Sequence, residues 1–253
     1  MPTSSHSAKG VILITGASSG LGAGMAREFA KRGYDLALCA RRLDALEALK
    51  SELSGTRVEL AALDVTDHAA VFQTFRQFRE KFGRLDKVIV NAGIGEGAPI
   101  GKGGFAKNRA TLEVNLIAAL AQAEAAMEIF RDQNAGHLVF ISSMSAIRGM
   151  RGAMTSYATS KAGLAHLAEG LRLEMLHKPI NITTLMPGYI QSEMTQGQNT
   201  SKTPFIIDGA KGARLLADAV ESGRNHVTVP RWPWSVLGAA MKMLPLSLLR
   251  RVT

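Results

Sequence analysis

The sequence predicts an α/β protein built on one doubly wound parallel sheet. Short apolar segments alternate along the chain with helical patterns of about a dozen residues or more, which is typical of parallel strands connected by helices. Glycine or polar residues follow several of these segments directly, and the carboxyl ends of parallel strands are where such sheets bind ligands. With 253 residues, of which 46% are hydrophobic, the chain suits a single domain with a sizeable core.

The first predicted strand, turn and helix form a nucleotide-binding unit. The apolar run 11–14 leads into a turn with the spacing Gly-x3-Gly-x-Gly, and a helical pattern follows. Glycines let backbone N–H groups approach a phosphate, and the N-terminus of a helix favours its negative charge. The alternative is an ordinary strand-to-helix loop, but the strand before and the helix after favour nucleotide binding.

The end of the second predicted strand, 35–40, indicates which dinucleotide is bound. An acid at this point binds the 2′-hydroxyl of NAD, whereas a nearby arginine accepts the 2′-phosphate of NADP. Here Ala40 is followed by Arg41 and Arg42, with no acid before Asp44. Because a guanidinium matches the geometry of a phosphate, NADP(H) is the preferred cofactor and NAD(H) the alternative. At least one of these arginines could instead be only a solvated residue at a helix start.

The remaining pattern continues the alternation and contains neither an internal repeat nor a dividing linker. A loop with five glycines is predicted at 94–107, followed by one long helix at 109–130. Polar residues or glycines at predicted strand ends are Asp64, Asn91, Ser143 and Gly188. The other predicted strands are 57–63, 87–90, 136–141, 181–186 and 227–229, and the other helices are 44–53, 67–82 and 210–220.

Tyr157 and Lys161 provide the strongest chemical signal. They are four residues apart at the start of an apolar helical pattern, so both side chains are expected on one face. A nearby ammonium favours the phenolate and lowers a tyrosine pKa from about 10. The pair could then exchange a proton with an alcohol or carbonyl oxygen. Taken alone, such a pair is more often a core aromatic and a solvated charge.

Six motifs together identify a family. The chain resembles short-chain dehydrogenases/reductases from about residue 10 to residue 195, and the order of the motifs makes the match specific. They are Thr15-Gly16-x3-Gly20-x-Gly22, Asn91-Ala92-Gly93, Asn115, Ser143, Tyr157-x3-Lys161 and Pro187-Gly188. The resemblance implies a Rossmann-type core with about seven parallel strands and hydride transfer with NAD(P).

The resemblance also assigns roles to the catalytic residues. Tyr157 resembles the proton donor in reduction and the base in oxidation. Lys161 resembles the residue that lowers the tyrosine pKa and holds the nicotinamide ribose. Ser143 resembles the hydrogen-bond partner of the substrate oxygen, and Asn115 resembles the residue that holds a water for a proton relay from Lys161.

For the cofactor, the resemblance implies contacts along most strand ends. The pyrophosphate loop comprises Gly16, Ser18, Ser19, Gly20, Leu21 and Gly22. Asp64 and Val65 resemble the adenine site, and Asn91 resembles the adenosine-ribose side. Ile190 and Ser192 resemble the contacts of the nicotinamide carboxamide. Further expected cofactor contacts are Ala92, Gly93, Tyr157, Lys161, Pro187 and Gly188.

Two positions depart from the family pattern. The family serine usually lies thirteen residues before the tyrosine, but Ser143 lies fourteen before Tyr157. Ser143 is preferred as the second serine of a pair that follows the strand, and Ser145 stays a minor candidate. Ser19 stands where NADP-dependent members often carry a basic residue, so the NADP prediction depends on Arg41 and Arg42.

Composition restricts the other function classes. The single cysteine, Cys39, rules out an internal disulfide and suits a reducing compartment, so a cytoplasmic location is expected. The polar leader 1–9 has no apolar core of a secretory signal, and no Cys/His cluster has zinc-ligand spacing. The net charge of +9 is scattered and partly lies in the tail. We therefore do not expect a nucleic-acid partner, which would require a basic patch and a binding motif.

The C-terminal region is expected to face the substrate. Residues 193–225 are predicted as a lid region, and residues 230–253 as an apolar, basic tail that Pro245 divides. Two tryptophans and flanking cations in the tail are typical of an interfacial membrane segment, so 231–251 could contact a membrane peripherally. The alternatives are that the tail covers the pocket or packs in a subunit interface. Each use suits an apolar or lipid-like substrate.

The predicted activity is interconversion of an alcohol with a ketone or aldehyde. The alternative is a non-catalytic dinucleotide-binding or redox-sensing protein on the same fold, but such proteins typically lose part of the Ser/Tyr/Lys set. Epimerase or dehydratase chemistry is a weaker alternative within the enzyme class. The resemblance also implies a homodimer or homotetramer joined through the helices that carry Asn115 and Tyr157.

Overall fold

The computed structural model describes residues 8–195 and 203–252, with side chains described as far as Arg250. The first residues of the polar leader, residues 196–202 of the predicted lid region and Thr253 lie outside these ranges.

In the described ranges, seven parallel strands form one sheet in the order β3-β2-β1-β4-β5-β6-β7. From β1 the chain moves outward to β3, returns to β4 beside β1 and continues to β7, so the strand order reverses between β1 and β4. Such a switch point opens a crevice beyond the strand ends. The doubly wound parallel sheet predicted from the sequence is confirmed. The strands are β1 Val11–Thr15, β2 Asp35–Ala40, β3 Val58–Ala62, β4 Lys87–Val90, β5 Gly136–Ile141, β6 Ile180–Pro187 and β7 His226–Val229.

Helices cover both faces of the sheet, which explains why its central strands are almost continuously apolar. One core lies under α3, α5 and α6 and includes Phe75 and Phe130, and the other lies under α1, α2 and α7 and includes Phe29. The helices are α1 Gly20–Lys31, α2 Leu43–Glu52, α3 His68–Phe82, α4 Phe105–Leu112, α5 Ala118–Gln133, α6 Met154–Glu174, α7 Gly209–Glu221, α8 Arg231–Met243 and α9 Leu246–Val252.

The region predicted as a loop at 94–107 and one helix at 109–130 is arranged differently. Helix α4 already begins at Phe105, and a π-helical turn over Glu113–Ile117 separates it from α5. A π turn inserts one extra residue per turn and often marks a functional site. This turn buries Asn115, a residue type that would otherwise face solvent in a helix.

The C-terminal region contributes to the core as well as to the surface. Helix α7 buries Leu216 and Val220 against the sheet, so this part of the predicted lid region belongs to the core. The tail forms two helices that break at Leu244 and Pro245, because proline disfavours helical backbone in the residue before it. Across 8–195 and 203–252, none of the helices has the length and apolar character needed to cross a membrane.

Candidate active site

The glycine turn after β1 fits a phosphate group. Gly16 and Gly20 have φ of 65° and 53°, in the left-handed region that favours glycine. A Cβ on Gly16 would lie 2.8 Å from Ala92 Cα, and one on Gly22 would collide with the carbonyl of Gly16. Helix α1 starts at Gly20, and the side chain of its N-cap, Ser19, makes no capping hydrogen bond to the helix. The first N–H groups of α1 therefore have no side-chain cap and can receive an anion.

Asn91 holds the glycine turn after β1 in place through hydrogen bonds. Its Nδ2 donates to the carbonyls of Thr15 (2.9 Å) and Gly16 (3.3 Å), and its backbone N–H donates to Thr15 Oγ1 (3.1 Å). Thr15 Oγ1 also accepts from the N–H of Ala92 at 3.1 Å. The Asn91 side chain thus fixes the ends of β1 and β4 together, whereas the sequence resemblance implied a contact with the ribose.

The residues predicted to meet the adenosine end lie together beyond β2 and β3. Arg41 and Arg42 are exposed after the last residue of β2, and Arg42 Nη2 donates to Ser18 Oγ at 3.3 Å. Asp64 accepts two hydrogen bonds from Thr66, at 3.0 Å and 2.8 Å. Bonds from the Thr66 backbone and side chain, together with the charge of Arg41, lower the pKa of Asp64. The neighbouring Val65 is buried.

The three serines after β5 have separate roles. The Ser143 side chain lies close enough to Tyr157 to act on its pKa, and the Ser143 Oγ accepts from the N–H of Ser145 at 3.2 Å. Ser142 is buried and its Oγ donates to the backbone carbonyl of Lys161 at 2.8 Å. The Ser145 Oγ is buried without a hydrogen-bond partner among the described residues. The geometry therefore favours Ser143 over Ser145 as the partner of the tyrosine, despite the spacing of fourteen residues.

Lys161 lies in the interior directly below this pair. Only 5% of its surface is exposed, and its Nζ donates to the carbonyl of Ile141 at 2.9 Å. A Cβ on Gly93 would lie 3.1 Å from Asn115 Oδ1 and 3.6 Å from Lys161 Nζ, so Gly93 lies beside both side chains. Desolvation lowers the pKa of Lys161 to about 8, because burial penalises the charged form.

The pKa of Tyr157 differs from the sequence prediction. Burial raises it above the ordinary value, and the nearby Ser143 hydroxyl acts in the opposite direction. Lys161 Nζ lies 5.8 Å from the centre of the Tyr157 ring, and its own charged form is disfavoured by burial. The expected lowering by Lys161 is therefore outweighed by desolvation in this structure, and the phenol is held protonated.

Asn115 uses its side chain to hold the loop after β4. Its Oδ1 accepts from the N–H of Ile94 at 2.8 Å, and its Nδ2 donates to the Ile94 carbonyl (2.9 Å) and to Ser160 Oγ (3.2 Å). Ser160 Oγ in turn donates to the carbonyl of Tyr157 at 2.7 Å. Asn115 therefore links the loop beside Lys161 to the helix that carries the tyrosine.

The residues after β6 line the same cleft, mostly through their backbone. Pro187 is the last residue of β6, and a Cβ on Gly188 would collide with the indole of Trp234 from α8. The Ile190 side chain packs against Gly212 in the core, so only its backbone can meet a ligand. Ser192 approaches the glycine turn, its Cβ lying 3.5 Å from where a Cβ on Gly20 would be.

Helix α8 covers the catalytic loop. A Cβ on Gly238 would lie 2.7 Å from Ile147 and 2.9 Å from Met144. Arg148 Nη1 reaches the carbonyls of the last turn of this helix, at 2.8, 2.9 and 3.1 Å. The loop that follows Ser143 and the tail are thus one packed unit. The carbonyls belong to Met241, Lys242 and Leu244.

Sequence reasoning did not single out several residues that shape this site. Ser160 links Asn115 to the carbonyl of Tyr157, which no spacing rule indicates. Thr15 belongs to the glycine motif, but its bonds to Asn91 and Ala92 join segments that are far apart in the chain. Trp234, Arg148 and Glu193 act across the fold, and only the unusual tryptophan content of the tail gave a signal. Glu193 forms an ion pair with Arg42 over 3.1 Å.

Together these features define a class of protein, a dinucleotide-dependent oxidoreductase. The glycine turn, Arg41, Arg42 and the strand ends could hold the cofactor. Tyr157, Ser143 and Lys161 lie together at the other end of the same crevice, where a phenol, a hydroxyl and an ammonium could exchange a proton with a substrate oxygen.

Comparison with known proteins agrees with this class. The family model for short chain dehydrogenase matches residues 10–203. The chain is 49% identical over 244 residues to an uncharacterized oxidoreductase of Mycobacterium tuberculosis (strain CDC 1551 / Oshkosh), covering 95% of this chain and 96% of that one. It is 33% identical over 243 residues to 11-beta-hydroxysteroid dehydrogenase 1A of Arabidopsis thaliana, covering 88% of this chain and 68% of that one. The solved structure of levodione reductase superimposes with a TM-score of 0.81 at 26% identity, covering 90% of this chain and 98% of that one.

The chain belongs to the short-chain dehydrogenase/reductase family and is an NAD(P)-dependent oxidoreductase. The sequence prediction of the family and of an enzyme is confirmed, and the non-catalytic alternative is set aside.

Proposed function

We propose that the protein interconverts an alcohol with a ketone or aldehyde and prefers NADP(H) to NAD(H). The observation that carries the cofactor preference is the end of β2, where Ala40 leaves no carboxylate to meet a ribose and Arg41 and Arg42 stand exposed. Charge-assisted hydrogen bonds from a guanidinium to a phosphate are among the strongest in proteins. NAD(H) is the alternative cofactor.

In this proposal the chain's residues handle the proton, and the bound nicotinamide supplies or accepts the hydride at the substrate carbon. In reduction, the Tyr157 Oη gives its proton to the carbonyl oxygen as the C–H bond forms. Ser143 donates a hydrogen bond to the same oxygen and stabilises its developing charge. In oxidation, the tyrosine takes the proton back. Burial raises the pKa of Tyr157, which keeps the phenol protonated for the reductive direction.

Lys161 and Asn115 support this step. We assign to Lys161 the binding of the nicotinamide ribose and a share in setting the tyrosine pKa. The Asn115 amide is engaged by Ile94 and Ser160, so we assign it the positioning of Gly93 beside Lys161 Nζ. Both Nδ2 hydrogens of Asn115 are already used, so a water in a relay could contact this side chain at Oδ1, which has a second lone pair.

An apolar substrate is supported by the surroundings of the catalytic loop. Met144, Met186 and Trp234 form a buried cluster beside Ser143, with Ile147 and Leu237 packed against it. Tyr189 and Phe205 pack edge-on against Trp234, with ring centres 5.5 Å and 6.2 Å away. The Arabidopsis relative is by name a hydroxysteroid dehydrogenase, which also supports a bulky apolar alcohol.

A fluorescence titration of the purified protein with NADPH and, separately, with NADH tests the cofactor assignment. We expect tighter NADPH binding, weakened roughly 10–100-fold by Arg41→Ala because a charge-assisted bond to the 2′-phosphate is lost. Arg76→Ala, which removes an exposed arginine on α3, is the matched control and should leave both affinities unchanged. Equal binding, or tighter NADH binding, would overturn the NADP preference.

A screen of ketones of increasing apolar size, with the preferred cofactor, then tests the substrate class.

We also propose that the outer face of the tail contacts an anionic membrane. Trp232, Met243 and Leu246 are at least three-quarters exposed, and the described side chains after Glu221 include no acid. Each cation near an anionic surface contributes about 1 kcal/mol. Sedimentation with vesicles should show binding to phosphatidylglycerol but not to phosphatidylcholine, reduced by Trp232→Ser and not by Phe105→Ser, an equally exposed aromatic on α4. Equal binding to both lipids, or to neither, would refute contact with an anionic membrane. The cytoplasmic location stays a prediction.

The homodimer or homotetramer implied by the family is a proposal as well. Ile117 on the π-helical turn, Leu120 on α5 and Leu173 on α6 expose 43%, 40% and 70% of their surface on the helices where the family associates. Light scattering should give a mass of two or four chains, shifted toward the monomer by Leu173→Glu. A monomeric wild-type protein would contradict it.

A further inference from the structure

Glu193 places a carboxylate among the donors assigned to cofactor phosphates. Its Oε2 lies 3.1 Å from Arg42 Nη2, the same nitrogen that donates to Ser18 Oγ at 3.3 Å. Its side chain also lies close enough to Ser19, the N-cap of α1, for the Ser19 hydroxyl to lower its pKa. Ser19 and then Arg42 lower the pKa of Glu193, so the carboxylate is ionised at neutral pH. This contact joins the segment after β6 to the glycine turn and to the end of β2.

The segment that carries Glu193 is well anchored. Thr195 Oγ1 accepts from the N–H of Ser192 at 2.8 Å and donates within the turn. The N–H of Gln191 donates to the carbonyl of Ile207 at 3.0 Å, and the Ile190 side chain is buried. Glu193 therefore reaches Arg42 from a hydrogen-bonded turn that follows the buried Ile190. The ion pair spans the crevice from this turn to the end of β2.

We infer that Glu193 is a specificity-determining residue that competes with the 2′-phosphate of NADP(H) for Arg42. The inference depends on the proposed cofactor site. A 2′-phosphate and the Glu193 carboxylate repel each other, so Glu193 must give up Arg42 when NADP(H) binds. With NAD(H), which has a 2′-hydroxyl there, the ion pair can persist. Glu193 thereby reduces the preference for NADP(H) that Arg41 and Arg42 create.

The expected size of this effect is modest. Both partners of the ion pair are about half exposed, at 51% of each side chain. Exposed pairs are weakened by water and salt. We therefore expect Glu193→Gln to tighten NADPH binding roughly three- to tenfold, with a change of less than about twofold for NADH.

Calorimetric titration with 2′,5′-ADP and with 5′-AMP tests the inference without the nicotinamide or turnover. Glu193→Gln and Glu193→Ala should both tighten 2′,5′-ADP binding and leave 5′-AMP binding unchanged. The alanine variant excludes a residual hydrogen bond to Ser19. In the Arg42→Ala background, adding Glu193→Gln should tighten 2′,5′-ADP binding less than it does in the otherwise wild-type protein. Glu47→Gln, which removes an exposed carboxylate on α2, is the charge-matched control and should change neither affinity.

The outcomes separate this inference from the proposed function. Unchanged or weaker 2′,5′-ADP binding in both Glu193 variants overturns the competition while leaving the NADP assignment intact. Wild-type protein that binds 5′-AMP as tightly as 2′,5′-ADP overturns the NADP assignment and the inference with it. Equal tightening of both nucleotides means that Glu193 acts on the shared 5′-phosphate, which also overturns the proposed selectivity.

Discussion

The two ends of the crevice use charge in opposite ways. At the catalytic end, Lys161 is buried, and desolvation sets the pKa of its ammonium. At the adenosine end, Arg41, Arg42 and Glu193 are exposed, and a direct ion pair of 3.1 Å connects two of them. Burial gives large, salt-independent effects on proton affinity, whereas exposed pairs give small effects that salt screens. We expect the rate of the chemical step to depend on the catalytic end, and the choice between NADP(H) and NAD(H) to depend on the adenosine end.

The largest effect should follow from removing the phenolic proton. Tyr157→Phe should lower kcat by roughly 10²–10⁴-fold, the usual contribution of a general acid or base. Steady-state kinetics with the best ketone measures this, and a parallel NADPH titration should show retained binding. Tyr189→Phe, at an exposed tyrosine beside Trp234, is the matched control and should keep its turnover. Full activity in Tyr157→Phe would refute the proposed mechanism.

The buried lysine should make stability depend on pH. Its pKa is 10.5 unfolded and about 8 folded, so below pH 8 the folded protein carries the full cost of a buried charge. Stability should rise as pH increases from about 8 toward 10.5, because the unfolded state then binds more protons. Relative to Lys161→Met, the wild type should gain up to about 3 kcal/mol over this range, at about 1.4 kcal/mol per pH unit.

Urea unfolding of both proteins at pH 7 and pH 10 measures this difference, and groups common to both cancel. Lys50→Met on the exposed face of α2 controls for loss of a charge alone. A difference between wild type and Lys161→Met that does not change with pH would contradict the burial argument.

Loosening the tail should have an intermediate effect. Arg148→Ala removes the donor shared by three carbonyls at the end of α8, at a cost of about 1–3 kcal/mol for acceptors left unpaired. We expect faster hydrogen exchange in 231–243 and a higher KM for apolar ketones, with kcat much less affected. Arg151→Ala, an exposed arginine three residues further along the same loop, should leave both unchanged. Unaltered exchange in Arg148→Ala would show that Trp234 and Gly238 hold the tail alone.

The smallest effect should come from salt. Raising ionic strength from about 0.05 M to about 0.5 M shortens the screening length several-fold and should weaken NADPH binding more than NADH binding. The kcat at saturating cofactor should stay constant, because Lys161 is buried and Ser143 and Tyr157 are half-buried. Binding titrations and kinetics at each salt concentration test this contrast. Equal salt dependence for both cofactors would indicate that Arg41 and Arg42 do not meet the 2′-phosphate.

Local patterns were sufficient to predict much of the site. The glycine turn predicted a phosphate cradle, and the structure has positive φ at Gly16 and Gly20. The spacing of Tyr157 and Lys161 predicted a shared helix, and both lie on α6. The long helix near Asn115 was predicted without its π turn, because a π turn depends on what the inserted residue contacts. The pKa shift of Tyr157 was predicted in the wrong direction, because sequence spacing indicates a neighbouring charge but not how deeply both groups are buried.

Strand periodicity and short motifs are local properties, so the parallel sheet, the glycine turn and the order of the candidate catalytic residues could be predicted from the sequence. Packing sets how closely Ser143 approaches Tyr157, how far Lys161 is desolvated, and that Glu193 reaches Arg42. It also decides that α8 covers the loop after Ser143. These features depend on distances between segments far apart in the chain, and such distances are fixed by packing rather than by any local pattern.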